Sequence, residues 1–117
     1  MTDLVCCLST GKGTWMEVAK LISNYEWRNI FLITNDFGKE KFSAAKPVKL
    51  VIIDPNKSID SMKKAIEEAL KDKLSGDVAI NLTSGSGQEH MALLTALMNL
   101  GVGIRFVTAT EKEITEI

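Results

Sequence analysis

The sequence lacks three features that would assign a function at once. It contains no apolar run near the roughly 18 residues that span a bilayer. Its start, MTDLVCC, has neither the basic residues nor the long apolar stretch of a signal peptide. Lys and Arg number 14 against 15 Asp and Glu, so the chain has no basic excess for coating duplex DNA, although a local basic patch is not excluded. We therefore expect a cytoplasmic protein that neither enters a membrane nor binds duplex DNA directly.

Cysteine is also scarce, and the two that occur, Cys6 and Cys7, are neighbours in an apolar run. Adjacent side chains of a strand point to opposite faces, so these cysteines are not expected to bridge each other. No CxxC spacing is present. We interpret them as small buried apolar residues. The sequence shows no cluster of His, Cys and Asp, so we expect no metal site. We also expect no bound cofactor.

Short apolar runs alternate with amphipathic segments along the 117 residues, a length that suits one domain. The clearest helix has Ser58 as a cap, continues through Leu74 and should stop at Gly76. The tail EKEITEI is predicted to turn back as a short antiparallel strand. The predicted strands are 3–9, 29–34, 48–53, 77–82 and 102–108, and the predicted helices are 14–25, 36–45, 59–74 and 88–100.

The strands are continuous runs of Val, Ile and Leu, which predict burial on both faces and hence a parallel sheet covered by helices. Right-handed crossovers favour the doubly wound strand order 3-2-1-4-5. We therefore predict an α/β, Rossmann-like three-layer fold over 1–117. Its sheet would be mainly parallel, with five or six strands and helices on both faces.

Two loops rich in glycine and hydroxyl residues follow strands one and four. They are STGKG, 9–13, and TSGSG, 83–87. In the predicted order these strands are neighbours whose connections leave to opposite faces. That arrangement opens a crevice at their carboxyl ends, where open α/β sheets bind ligands. We expect the two loops to face each other there.

The residue types in these loops suit an anionic ligand such as a phosphate or phosphodiester. Glycine lets backbone N–H groups approach a ligand, and each loop opens a helix whose first N–H groups attract anions. Hydroxyl groups add donors, and Lys12 adds the only positive charge of the two loops. The candidate ligand-binding residues are Ser9, Thr10, Gly11, Lys12, Gly13, Thr83, Ser84, Gly85, Ser86, Gly87 and Gln88.

Two common nucleotide motifs do not fit these loops. A Walker A loop requires GxxxxGK[ST], but Gly13 follows Lys12 and Cys6 stands where the first glycine should be. The GxGxxG fingerprint fails twice, because Met16 and His90 occupy its final position. The loops hold no carboxylate pair, so general acid–base hydrolysis is not expected. The alternative is that these glycines and serines are ordinary turn and cap residues.

Four further residues have simpler interpretations. We expect Trp15 in the core and Glu89 favouring the start of a helix. We expect His90 in a structural or rim position. Arg105, in the middle of a strand, should reach a sheet edge or pair with an acid.

The helix at 91–100 is apolar on nearly every side, although a helix on a sheet needs one apolar stripe. The extra apolar face needs a cover. A second subunit in a two-fold homodimer is the favoured cover. The alternative is that the tail, 109–117, folds over it.

The segment VAINLTSGSGQEHMALLTALMNLG resembles the second signature region of CRISPR-associated Rossmann-fold (CARF) domains. LVCCLSTGKGTW stands where the first ligand loop of that family lies. The resemblance implies a homodimer whose two-fold axis passes through the ligand site. It implies a cyclic oligoadenylate as the ligand, a second messenger of CRISPR antiviral signalling. A symmetric ring would then match a pocket built from two copies of each loop.

The resemblance implies either a sensor of the ring or a metal-independent ring nuclease. A generic nucleotide-binding α/β protein with no CRISPR link is the third function left open. In family members that cut the ring, the adenosine 2′-hydroxyl attacks its own phosphate. The candidate catalytic residues by this resemblance are Thr10, Lys12 and Ser84. Members often place a lysine after the glycines of the second loop, where this chain has Gln88. Many relatives continue into an effector domain after the sensor. The sequence ends at Ile117, so we expect either a stand-alone or a truncated sensor.

Overall fold

The computed structural model of the protein describes residues 2–9, 12–110 and 113–117, and of Lys12 only the backbone. Its strands are β1 (Asp3–Cys7), β2 (Ile30–Thr34), β3 (Lys49–Ile52), β4 (Asp77–Asn81), β5 (Gly103–Ala109) and β6 (Ile114–Glu116). Its helices are α1 (Trp15–Ser23), α2 (Asp36–Lys41), α3 (Ile59–Leu70) and α4 (Gly87–Leu100), with a 3-10 turn at Lys12–Thr14.

The six strands form one sheet in the order β3-β2-β1-β4-β5-β6. Strands β1 to β5 run parallel, and β6 pairs antiparallel with β5. β1 therefore lies between β2 and β4 at the centre, with Leu4 level with Ala79 and Cys6 level with Asn81. The α/β fold, the strand order and the antiparallel tail strand are confirmed.

Each face of the sheet buries its own apolar cluster. The cluster on one face contains Val5 and Cys7 of β1 together with side chains of α3 and α4. The cluster on the other face contains Leu4 and Cys6 of β1 together with side chains of α1. β1 and β2 are buried along their whole length because helices cover them on both sides.

The start of α3 and the end of α4 follow the local sequence signals, whereas α2 ends at Lys41 and does not continue to residue 45 as predicted. The Ser58 side chain accepts a hydrogen bond from Ser61 N at 3.1 Å, and Gly101 closes α4 in the left-handed conformation at φ 73°. The predicted end of α3 was wrong. The helix stops at Leu70, and Leu74 packs against the core from a non-helical segment. Apolar spacing marked Leu74 as buried and did not distinguish a helix from the turn that follows it.

Strands β3 and β5 correct the prediction that every strand is buried on both faces. β3 lies at the edge of the sheet with Leu50 and Ile52 exposed, and Phe106 of β5 is exposed as well. Within the described ranges, no helix has the length and apolar character needed to cross a membrane.

Candidate functional site

The crevice between the loops lies at the carboxyl ends of β1 and β4. These strands are paired side by side, so the loops that leave them start at adjacent points. The backbone N–H of Ser9 donates to the Ser84 hydroxyl at 3.1 Å. Residues 75 positions apart are thus in direct contact, and the predicted adjacency of strands one and four is confirmed.

Gly85 allows the second loop to close over the end of β1. Its φ of +97° lies in a region that side chains rarely adopt. A Cβ atom at this position would lie 2.9 Å from Cys7 Cβ and 3.0 Å from His90 Nε2. The same ring nitrogen lies 2.8 Å from the Ser84 carbonyl oxygen. His90 therefore has the structural position expected of it, holding the loop against α4.

A capping box starts α4 and brings a carboxylate into the second loop. Ser86 N donates to Glu89 Oε1 at 2.7 Å, and Glu89 N donates to Ser86 Oγ at 3.2 Å. Glu89 is only 3% exposed, so its carboxylate approaches the helix N-terminus from the protein interior. The capping box does not use the N–H groups of Gly87 and Gln88, which lie at the exposed start of the helix.

Glu17 of α1 enters the crevice, a placement that the sequence did not suggest. Its Oε2 accepts hydrogen bonds from Asn81 Nδ2 at 2.7 Å and from the Thr83 hydroxyl. Asn81 Oδ1 accepts from Thr83 N at 3.1 Å, while Asn81 Nδ2 also donates to Val107 O at 2.8 Å. The buried Asn81 thus connects α1, β4 and β5. The sequence predicted only that the two loops hold no carboxylate pair, and Glu17 adds one carboxylate to the site from α1.

A sequence signal for this arrangement did exist. Asn81 is a polar residue that directly follows the apolar residues 78–80 of β4, and a buried amide requires hydrogen-bond partners. That rule predicts a polar neighbour without naming it. Glu17 lies 64 positions away along the chain, so only the packing of α1 against the sheet identifies it.

The two cysteines lie directly beneath the crevice on opposite faces of the sheet. Burial raises the pKa of Cys7 to about 12, and the charge of Glu89 adds to the effect. Burial also raises the pKa of Cys6, with smaller contributions from Cys7 and Glu17. Both groups therefore remain thiols near neutral pH and are poor nucleophiles.

The first loop is described only in part. Thr10 and Gly11 lie outside the described residues, and the Lys12 backbone begins the 3-10 turn. Gly13 is exposed, with open space where a Cβ would stand. Trp15 Nε1 donates to Ser9 O at 2.6 Å. The half-buried Trp15 therefore packs against the α1-side cluster and holds the start of this loop.

The second loop is described in full. Four of its candidate residues lie at the surface, and Ser84 does not. Ser84 is 1% exposed, so its hydroxyl joins the two loops from below. The exposed candidates are Thr83, Ser86, Gly87 and Gln88.

A further cavity lies elsewhere, at the amino-terminal ends of the strands. It measures about 880 Å³ and is lined by Trp27, Arg28, Asp77, Arg105 and Glu116, among others. Its guanidinium groups are ion-paired: Arg28 with Asp3, and Arg105 with Asp77 and Glu116. Arg105 thus pairs with acids, as one of its two interpretations predicted. We place the candidate site at the carboxyl ends, where strand order reverses and parallel sheets bind ligands.

Among residues 2–9, 12–110 and 113–117, no cluster of three His, Cys, Asp or Glu side chains could hold a metal ion.

In comparisons with known proteins, no family model matches the chain. No curated protein sequence matches it either. The site geometry and the resemblance of the two loops are therefore the grounds for a function.

Proposed function

We propose that the protein is a cytoplasmic homodimer that binds a cyclic oligoadenylate and acts as a sensor in CRISPR antiviral signalling. The observation that carries the proposal is the contact between the two CARF-like loops, the hydrogen bond from Ser9 N to Ser84 Oγ. Through this contact, the two segments that resemble CARF domains lie at the same crevice. Both loops leave neighbouring strands at the point where ligands bind in this fold.

The described donors suit a phosphodiester at the second loop. The N–H groups of Gly87 and Gln88 lie at the positive end of α4, and the exposed Ser86 and Gln88 stand beside them. The internal charge of Glu89 offsets part of that positive end, so Lys12 is expected to supply the remaining attraction. Thr10 and Gly11 stay predicted ligand residues of the first loop.

The exposed face of α4 supports the dimer. Met91 is 56% exposed and Met98 69%, and seven positions place them on one side of the helix. The alternative cover, the tail, does not reach this face, because Ile114 packs against the cluster on the α1 side of the sheet. The two ionisable residues of α4, Glu89 and His90, turn inward. Two copies could therefore meet on an uncharged surface where the exposed Met91 and Met98 flank the polar Thr95.

Binding without cleavage is the proposed activity, because the described candidates offer little catalytic chemistry. The Ser84 hydroxyl is buried and accepts a hydrogen bond from Ser9 N. Gln88 stands where cleaving members of the family often have lysine, and a neutral amide stabilises a developing phosphorane charge less than a cation does. Thr10 and Lys12 stay candidates for the nuclease alternative.

Calorimetry with cyclic tri-, tetra- and hexa-adenylate, together with light scattering, tests the proposal. We expect one ring to bind per two chains, a dimer mass, and an intact ring after incubation without metal. The variant Met98→Lys places a charge on the exposed side of α4 and should yield monomers that bind the ring at least tenfold more weakly. Glu68→Lys on the exposed side of α3 is the matched control and should change neither the mass nor the affinity.

Each contrary result has a separate meaning. Linear adenylates appearing in the incubation would replace the sensor by the ring nuclease. Binding of mononucleotides but of no ring would favour the generic nucleotide-binding protein. A monomer mass for the unaltered chain with bound ring would contradict the shared pocket.

A further inference from the structure

We propose that Glu17 is the residue that selects ribose over deoxyribose in the bound ligand, by accepting a hydrogen bond from a 2′-hydroxyl. The inference rests on the proposed function, since it assigns one part of the same crevice. It adds a residue of α1 to a site that the sequence placed wholly in the two loops.

Donors of β4 and of the second loop fix the position of the Glu17 carboxylate. Both of its described hydrogen bonds, from Asn81 Nδ2 and from the Thr83 hydroxyl, fall on Oε2. Asn81 is itself 2% exposed and is held by Val107 O and Thr83 N. The carboxylate is therefore oriented by a rigid partner before any ligand arrives, which reduces the entropy cost of binding.

The second carboxylate oxygen, Oε1, takes part in neither of these bonds. An ionised carboxylate is an acceptor with about four lone-pair sites. Glu17 is half-buried, and its partner Thr83 is exposed, so the group lies at the rim of the crevice. A hydroxyl or amino group of a ligand is the kind of partner that Oε1 would accept.

The charge of Glu17 decides which part of a nucleotide lies beside it. A phosphate next to this carboxylate would meet a like charge, whereas a phosphate at Gly87 and Gln88 would meet the N–H groups of α4. The crevice thus has an acceptor side at Glu17 and a donor side at the start of α4. A nucleotide has the matching polarity, with hydroxyl donors on the sugar and acceptors on the phosphate.

The 2′-hydroxyl is the donor that distinguishes RNA from DNA at a given site. A hydrogen bond to a charged acceptor contributes more than one between neutral groups, and removing the ligand's hydroxyl leaves Oε1 of Glu17 desolvated without that partner. We expect a preference for the ribose ring on the order of tenfold.

Affinities of the full chain for three synthetic rings test the inference: cyclic tetra-adenylate, its 2′-deoxy counterpart and cyclic tetra-inosinate. The ribose ring should bind about tenfold more tightly than the deoxyribose ring. The inosine ring, which keeps the 2′-hydroxyl and lacks the exocyclic amine of adenine, should bind about as tightly as cyclic tetra-adenylate. A loss confined to the inosine ring would overturn the assignment of the 2′-hydroxyl.

Glu17→Gln is the decisive variant because it changes one feature of the contact. The glutamine oxygen can still accept from Asn81 and Thr83, so the loop keeps its anchor, while an NH₂ group replaces Oε1. The ratio of ribose to deoxyribose affinity should fall to near one, and a general change in charge cancels in that ratio. Glu68→Gln, on the far surface, should keep the tenfold preference.

The outcomes separate this inference from the function on which it rests. Equal binding of ribose and deoxyribose rings by the unaltered protein, or a preference that survives in Glu17→Gln, overturns the role of Glu17 and leaves the sensor in place. Failure of every ring to bind overturns the sensor and this inference together. Unaltered circular dichroism of Glu17→Gln is the check that its fold is intact.

Discussion

The two ends of the β1–β4 pair use polar side chains in different ways. At the amino-terminal end, the carboxylate of Asp3 is fully buried and is paired with Arg28, which donates through both Nε and Nη2. Asn29 Nδ2 and Ser75 N also donate to Asp3, at 3.0 and 3.3 Å. At the carboxyl-terminal end, the carboxylate of Glu17 lies half-buried and meets two neutral donors. One carboxylate is enclosed by its partners and the other is held at the surface.

This difference indicates which end stabilises the fold and which end is available to a ligand. A buried charge with several hydrogen bonds ties segments together, and removing it leaves its partners without compensation. A half-buried carboxylate anchored through one oxygen contributes less to stability. The cavity at the amino-terminal end does not reverse this conclusion, because its arginines already have carboxylate partners.

Replacement of Asp3 should have the largest effect. In Asp3→Asn the guanidinium of Arg28 loses a buried counter-charge, and we expect the free energy of unfolding to fall by about 3 kcal/mol. Urea denaturation followed by Trp fluorescence measures it. Asp60→Asn, which removes an exposed carboxylate of α3, is the control and should change little.

The same substitution predicts a pH dependence. Burial alone would raise the pKa of Asp3, but the hydrogen bonds from Arg28, Asn29 and Ser75 and the charge of Arg28 lower it on balance. A lowered pKa in the folded state gives stability that is present above the unfolded value of about 4 and is lost as the pH falls through the folded value. The difference between wild type and Asp3→Asn should therefore shrink below about pH 4. A constant difference down to pH 2 would contradict this account.

An intermediate effect is expected from Gly85→Ala at the other end. The positive φ and the 2.9 Å approach to Cys7 Cβ force the loop to shift, at a cost of about 2 kcal/mol. Gly87→Ala, two positions along, is the matched control because nothing lies within 4 Å of its Cβ position. It should leave the urea midpoint unchanged or slightly raised. Equal losses for the two variants would mean that the loop is not closed over β1.

The smallest effect should come from Thr83→Val, which keeps the shape of the side chain and removes the hydroxyl that donates to Glu17. Because this hydrogen bond is near the surface, we expect a loss of about 1 kcal/mol or less in thermal and urea unfolding. Thr83→Ser retains the donor and should behave like wild type. A loss as large as that of Asp3→Asn would erase the proposed difference between the two ends.

Much of the site could be anticipated because it depends on general rules of the fold. Apolar runs and helical spacing gave the order of elements, and right-handed crossovers placed β1 beside β4. The adjacency of 9 and 84 follows from these rules. The burial of Ser84 does not, since the loop composition alone cannot distinguish a hydroxyl that faces a ligand from one that joins two loops.

The sequence by itself determined the α/β class, the strand order and the meeting of two glycine loops, because periodicity and chain handedness are properties of short segments and of their connections. The tertiary structure alone decided that Glu17 enters the crevice, that Asp3 is enclosed by four donors, and that the tail leaves α4 uncovered. Those outcomes depend on contacts between residues up to 72 positions apart. Such contacts are fixed only when helices and strands pack, since no local pattern encodes the distance between them.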